Sequence, residues 1–216
     1  MRKIRLIFEK TGSARFISHL DLNRVMQRAV RRAHLPVWYT EGFNCHPYVT
    51  FASPLSLGFC SLYELMDAKI TQDDLDFSWV PARLNATLPR GLRVREAYEP
   101  ESKFSAIAAS RYEIALPGLD APGGEALRAA MTGGELLAVK KGKAGEYTID
   151  LAPHVRELTL ERRDGALYLG VTLPASQTLS INPALLLGAA LGKAGLQATY
   201  LVTRTSLLDE AGHLFR

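Results

Sequence analysis

Arg2-Lys-Ile-Arg-Leu-Ile-Phe-Glu9, followed by Ser18-His-Leu-Asp-Leu-Asn-Arg-Val-Met-Gln-Arg-Ala-Val-Arg-Arg-Ala33, sets the first two elements of the fold. In the first stretch Ile4, Leu6 and Phe8 recur with period two, the mark of a half-buried strand. In the second, Ser18 with Asp21 makes a start like a capping box. Leu22, Val25, Met26, Ala29 and Ala33 then share one face of a helix. Leu35-Pro36 stops that helix, because the residue before a proline is pushed out of the α region.

Working outward, Val37 to about Leu57 reads as extended chain interrupted by the turn-rich Glu41-Gly-Phe-Asn-Cys-His-Pro47. Phe59 to Ile70 reads as a strand that pairs with it, and Gln72 to about Leu88 as a second helix ending at Pro89-Arg-Gly91. Leu92 to Ala97 closes the unit. The order β-α-β-β-α-β is that of the split βαβ, ferredoxin-like motif, an antiparallel sheet with both helices on one face. Pro100-Glu-Ser-Lys-Phe-Ser-Ala106 reads as a linker.

Beyond it, strands are expected at Arg111–Leu116, Leu136–Lys140, Val155–Arg162, Ala166–Leu173 and Ala198–Thr205. Helices are expected at Gly124–Met131 and Asn182–Leu191, the latter with Pro183 at a starting position. The expected fold is therefore α+β: two tandem ferredoxin-like (split βαβ) domains with antiparallel sheets, at residues 1–100 and 108–216. The second carries an extra strand or two.

A chain of 216 residues, 47% hydrophobic and 22% charged, has ordinary globular composition with no room for a long disordered tract. The N-terminus alternates charged and apolar residues, unlike a signal peptide, and no apolar run approaches the roughly 18 residues of a membrane span. Cys45 and Cys60 are too few for a disulfide framework. A cytoplasmic protein without a membrane partner is expected. The net charge of +4 is uneven: residues 1–48 hold nine Lys and Arg against Glu9, Asp21 and Glu41. An anionic partner is expected to meet that segment.

On a helical wheel with Arg24 at the origin, Arg28 falls at about 40°, Arg31 at about 340° and Arg32 at about 80°, opposite the apolar face. Arginine's planar fork suits bidentate contact with phosphate or carboxylate, so the stripe is a candidate nucleic-acid contact. A solvated helix face is the plainer alternative, and an Asp21–Arg24 pair would use part of the charge. In Tyr39-Thr-Glu-Gly-Phe-Asn-Cys-His-Pro47, Asn44 and His46 can exchange hydrogen bonds with a ligand, and Trp38, Tyr39 or Phe43 can stack on a base. The structural reading of the same loop has Gly42 at positive φ, Asn44 capping a turn and Phe43 anchoring the loop to the core.

His19, His34, Cys45 and His46 have the chemistry of metal ligands. His19 and His34 stand about 22 Å apart along one helix, too far for one ion. A set of His19, Cys45 and His46 has no diagnostic spacing, so no metal and no cofactor is assigned. His19 beside Ser18, or His46 with Tyr39, offers acid–base groups for RNA cleavage, but no spacing fixes a catalytic pair. Phosphate loops, nucleophile elbows and HExxH are absent.

Arg15-Phe-Ile-Ser-His-Leu-Asp21, Arg28-Ala-Val-Arg-Arg-Ala33, Gly42-Phe-Asn-Cys-His-Pro47 and Ser53-Pro-Leu-Ser-Leu-Gly58, with Ser61 and Glu64, resemble the radical SAM-linked family, a domain of unknown function. The resemblance covers residues 1–70. It implies a chain encoded beside, or fused to, a radical SAM protein, and a setting in RNA or translation chemistry. In that family the loop reads Gly-Phe-Asn-Pro-His-Pro, so Cys45 stands here in place of a proline. The tandem layout also resembles RAMP-type RNA-processing nucleases, an analogy of fold.

The expectation is a non-catalytic accessory to a radical SAM protein that binds RNA (tRNA or rRNA) or a translation component. The binding residues would be Arg15, His19, Arg24, Arg28, Arg31, Arg32, Tyr39, Phe43, Asn44 and His46. A metal-independent endoribonuclease and a protein–protein adaptor without RNA binding are the alternatives.

Overall fold

In the computed structural model, which describes residues 2–142 and 145–216, the chain is α+β with antiparallel sheets and few helices. It divides into two compact units. The first comprises residues up to Ile107 together with Arg204–Leu207 and Leu214–Arg216; the second comprises Ala108–Thr203 and Leu208–His213. No helix among the described residues is long and apolar enough to cross a membrane.

The first unit runs β1 (Arg2–Lys10), a 3-10 turn (Gly12–Phe16), α1 (His19–Arg32), β2 (Val49–Phe51), β3 (Cys60–Ile70), α2 (Val80–Asn85) and β4 (Leu92–Tyr98). The strands lie in the order β4-β1-β3, with β2 also paired to β3, and every pairing is antiparallel. The core gathers Ile4, Leu6 and Phe8 of β1, Leu22, Met26, Ala29 and Val30 of α1, and Val80, Leu84, Leu92 and Val94. Such a core follows from matching a period-two strand to a 3.6-period helix.

Three expectations fail here for physical reasons. Strand β1 is not half-buried: Ile4 through Lys10 are all buried, with Arg5, Ile7 and Glu9 on the face that the alternation assigns to solvent. Arg5 donates from Nε and Nη2 to Asp67 at 2.7 and 2.8 Å, and from Nη2 to the Ser102 carbonyl at 2.9 Å. Its guanidinium lies 4.3 Å from the Phe104 ring centroid and 5.1 Å from that of Phe215. The stretch read as a linker is therefore part of the unit's packing. The second helix is also far shorter than Gln72–Leu88, covering only Val80–Asn85. Asp76 closes a turn on Ser78, accepting from its N–H and hydroxyl at 2.9 and 2.6 Å, and Pro81 fixes the start of the helix.

The second unit contains β5 (Ala109–Leu116), α3 (Ala121–Thr132), β6 (Leu137–Gly142), β7 (Gly145–Asp150), β8 (Arg156–Arg163), β9 (Ala166–Pro174) and α4 (Pro183–Ala194). β5, β9 and β8 are successive neighbours, and β6 pairs with β7 in a separate two-stranded sheet; β7 was not anticipated. Asp120 and Asn182 cap α3 and α4 by accepting from Gly123 N and Ala184 N. β10 (Leu201–Leu208) supplies Arg204–Leu207 to the first unit and its remaining residues to the second.

Candidate functional site

Helix α1 forms one wall of the site. Ser18 is its N-cap, accepting from Asp21 N at 3.1 Å, and the carboxyl of Asp21 accepts from the Ser18 hydroxyl and from Arg24 Nη1. Those two donors hold the Asp21 carboxyl below the usual carboxylate range. His34 ends the helix in the left-handed region at φ 52°, ahead of Leu35-Pro36. Along the exposed side stand Arg24, Arg28 and Arg31. Arg24 is engaged by Asp21 at 3.1 Å. Among the described residues, neither Arg28 nor Arg31 has a side-chain hydrogen bond or ion pair.

The other wall is the loop 39–47, which folds as a small hairpin. Tyr39 bridges Pro47, Thr40 N donates to the His46 carbonyl at 2.9 Å, and His46 N donates to Thr40 Oγ1 at 3.2 Å. Gly42 takes φ 106°, a left-handed value that glycine reaches without a Cβ clash. Cys45 Sγ donates to the Gly42 carbonyl at 3.1 Å. His46 Nδ1 lies 2.7 Å from the Asn44 carbonyl, which can only accept, so Nδ1 carries the proton and Nε2 of the neutral ring is left as an acceptor. Gln27 Nε2 of α1 donates to the Pro47 carbonyl at 3.3 Å, tying the two walls together.

Between the walls lies an open cleft of about 280 Å³, lined by Arg24, Gln27, Arg28, Arg31, Tyr39, Cys45, His46 and Pro47. An adjoining cleft of about 420 Å³ shares Arg24, Gln27, Cys45 and His46 and adds Leu20, Asn23 and Asn44. Five of the expected residues (Arg24, Arg28, Arg31, Tyr39 and His46) thus meet at the first cleft, and Asn44 joins them at the second. Phe43 is wholly exposed at the tip of the loop, so it does not anchor the loop to the core.

Three expected residues lie elsewhere. Arg15, in the 3-10 turn, stacks over Phe16 at 4.7 Å. His19 packs edge-on against Phe51 at 5.4 Å, and Arg32 donates to the Thr87 carbonyl at 2.9 Å. Trp38 is committed to Tyr48, at 5.4 Å, and to the Lys69 ammonium, at 4.7 Å. No three His, Cys, Asp or Glu among the described residues gather as a metal site requires, so His19, Cys45 and His46 do not form one.

Leu20, Asn23 and Gln27 were missed as site residues. On the wheel Leu20 and Gln27 fall at about 320° and 300°, beside the arginines, and Asn23 at about 260°, at the border of the buried face; two neutral amides and a leucine add no charge to draw attention there.

A family model described as an uncharacterized protein conserved in bacteria (DUF2344) matches residues 3–183. None of the curated proteins matches the chain. Among solved structures, a chain of a Cbf5-Nop10-Gar1 complex is 10% identical at a TM-score of 0.52, covering 94% of this chain and 48% of its own. This chain thus spans about half the length of that one, and the likeness is one of fold alone. A protein of unknown function from Galdieria sulphuraria is 12% identical, with 94% of this chain and 98% of that one covered, at a TM-score of 0.28, too low to carry an argument.

Proposed function

The chain belongs to this uncharacterized bacterial family, and from the geometry of its first unit we propose that it is a non-catalytic RNA-binding accessory protein. The observation that carries this reading is the placement of Arg28 and Arg31, unpaired guanidiniums, on one wall of a cleft whose other wall offers Tyr39 and His46. Unpaired arginines beside aromatic and imidazole groups suit a phosphodiester backbone and its bases better than they suit a neutral ligand. Of the acid–base pairs, His19 with Ser18 lies outside this cleft and His46 with Tyr39 lies within it, so RNA cleavage in EDTA by wild type and by His46→Ala tests the endoribonuclease alternative.

In this proposal the RNA is a tRNA, an rRNA or another part of the translation machinery, and the radical SAM chemistry belongs to a cytoplasmic partner protein. The resemblance of residues 1–70 to radical SAM-linked proteins supports that partnership. The element order of the first unit supports a ferredoxin-like fold for that unit, and the tandem, RAMP-like organisation extends this reading to the second, with residues 101–107, 204–207 and 214–216 counted in the first.

The test is binding of total cellular RNA across a salt series by the wild type and by an Arg24→Ala/Arg28→Ala/Arg31→Ala variant. The expected result is a steep salt dependence whose slope shrinks by about one unit for each arginine lost. Unchanged binding by the variant would remove the site, and RNA-free co-purification with a radical SAM protein would favour a protein adaptor.

A further inference from the structure

Resting on that RNA-binding reading, we infer that this site takes an unpaired nucleotide, its phosphate between Arg28 and Arg31 and its base in the adjoining cleft of Leu20, Asn23 and Asn44. The two clefts meet along Arg24, Gln27, Cys45 and His46, but their chemistry differs. The first holds both guanidiniums without a partner. The second has no cation besides Arg24, which Asp21 already engages. Its distinctive groups are two amides and an exposed leucine. That division is what a nucleotide presents: an anion at one end, and at the other a flat apolar ring with a polar edge.

Asn23 supplies the observation that selects the base. Its half-buried amide lines the second cleft with Oδ1 shielded from solvent and without a hydrogen-bond partner among the described residues, so turning the side chain into the cleft would let a ligand satisfy it. An acceptor in that state is relieved by an N–H donor, which every nucleobase carries on its pairing edge and which is available only when the base is unpaired. The His46 ring, fixed through Nδ1 to the Asn44 carbonyl, adds an Nε2 acceptor on the wall common to both clefts. Phe43, wholly exposed and next in sequence to Asn44, offers a face on which a neighbouring base can stack. The two clefts, at about 280 and 420 Å³, are of the size of small-ligand pockets, enough between them for one nucleotide.

The experiment measures binding of the full chain to a short unstructured RNA strand and to the same strand annealed to its complement, each across a salt series. Wild type is compared with Asn23→Leu, which keeps the volume and favours the helix, with Asn44→Ala in the loop, and with Arg28→Ala/Arg31→Ala. The single strand is expected to bind at least about tenfold tighter than the duplex. Asn23→Leu and Asn44→Ala should each weaken it by about tenfold with the salt slope unchanged, the effect of losing contacts to a base edge. The double arginine variant should instead lower the slope by about two units. Equal affinity for duplex and single strand, or both amide variants binding like wild type while the arginine variant still lowers the slope, would overturn the unpaired-nucleotide inference and leave the RNA reading standing. Absence of salt-dependent binding to either probe would overturn both.

Discussion

Arg5 and Arg28 belong to the same unit and have the same guanidinium, yet their surroundings have opposite logic. Arg5 is fully buried, forked onto Asp67, bonded to the Ser102 carbonyl and stacked near two phenylalanines. Arg204 is similar: it is buried and donates to Glu64 at 2.9 Å and to the carbonyls of Ser53 and Pro54. Arg28 and Arg31 stand in the open with their donors unused. Burying a guanidinium costs far more than exposing one, and the carboxylates and carbonyls around Arg5 and Arg204 offset that cost, although among the described residues Arg5 Nη1 and Arg204 Nε are buried without a hydrogen-bond acceptor. The outer two need no such support, which leaves their donors available to a ligand. Arg5 and Arg204 thus belong to the architecture of this unit, whereas Arg28 and Arg31 keep their donors free at the cleft.

The largest effect should come from breaking an inner arginine. Arg5→Ala leaves the Asp67 carboxylate buried without its partner and is expected to cost about 3–5 kcal/mol, measured by chemical denaturation. A loss below about 1 kcal/mol would end the distinction drawn here. Next comes Tyr63, whose hydroxyl donates to the Phe215 carbonyl at 2.9 Å and whose phenol is pushed up to about 12 by burial. The folded protein therefore keeps a proton that the unfolded chain gives up near pH 10. The stabilisation is complete below about pH 10 and declines as the pH rises through the folded value. Tyr63→Phe should remove that part of the alkaline decline and cost about 1–3 kcal/mol at neutral pH, because the Phe215 carbonyl loses its donor.

Ser18→Ala, which removes the α1 cap, should cost about 1 kcal/mol and is read by thermal unfolding. It also takes away the first of the two donors that hold the Asp21 carboxyl low, so the stability that Asp21 contributes above its unfolded value, and loses as the pH falls through its folded one, should shrink in the variant. The smallest effect on stability belongs to the outer pair. Arg28→Ala/Arg31→Ala should stay within about 0.5 kcal/mol of wild type while altering RNA affinity. A larger loss would make these arginines structural after all.

Much of the candidate site was legible because α1 is long and strongly periodic. The same wheel that buries Leu22, Met26 and Ala29 turns Arg24, Arg28 and Arg31 outward. The tie between Gln27 and Pro47 was not legible, since it depends on how the loop 39–47 folds against the helix. Arg32 differs from its neighbours only in lying further round the helix, where the Thr87 carbonyl is within reach. For the fold, the burial of both faces of β1 escaped notice because Asp67, Phe104 and Phe215, which enclose Arg5, lie far away in sequence. Six residues of α2 do not complete two turns, and a segment that short is overruled by the turn at Asp76 and the proline at 81. The six-residue β7 follows a run of Lys and Gly residues in which no hydrophobic pattern separates strand from loop.

The return of Arg204–Leu207 and Leu214–Arg216 to the first unit bears on how the chain is made. A nascent polypeptide that has emerged only as far as Ile107 holds Glu64 without Arg204, and Arg5 without the ring of Phe215. The first unit synthesised is therefore expected to be the one that waits. It closes only once residues 214–216 have also emerged; until then Glu64 lacks its guanidinium, while Arg5, already forked onto Asp67 and bonded to the Ser102 carbonyl, lacks the Phe215 ring.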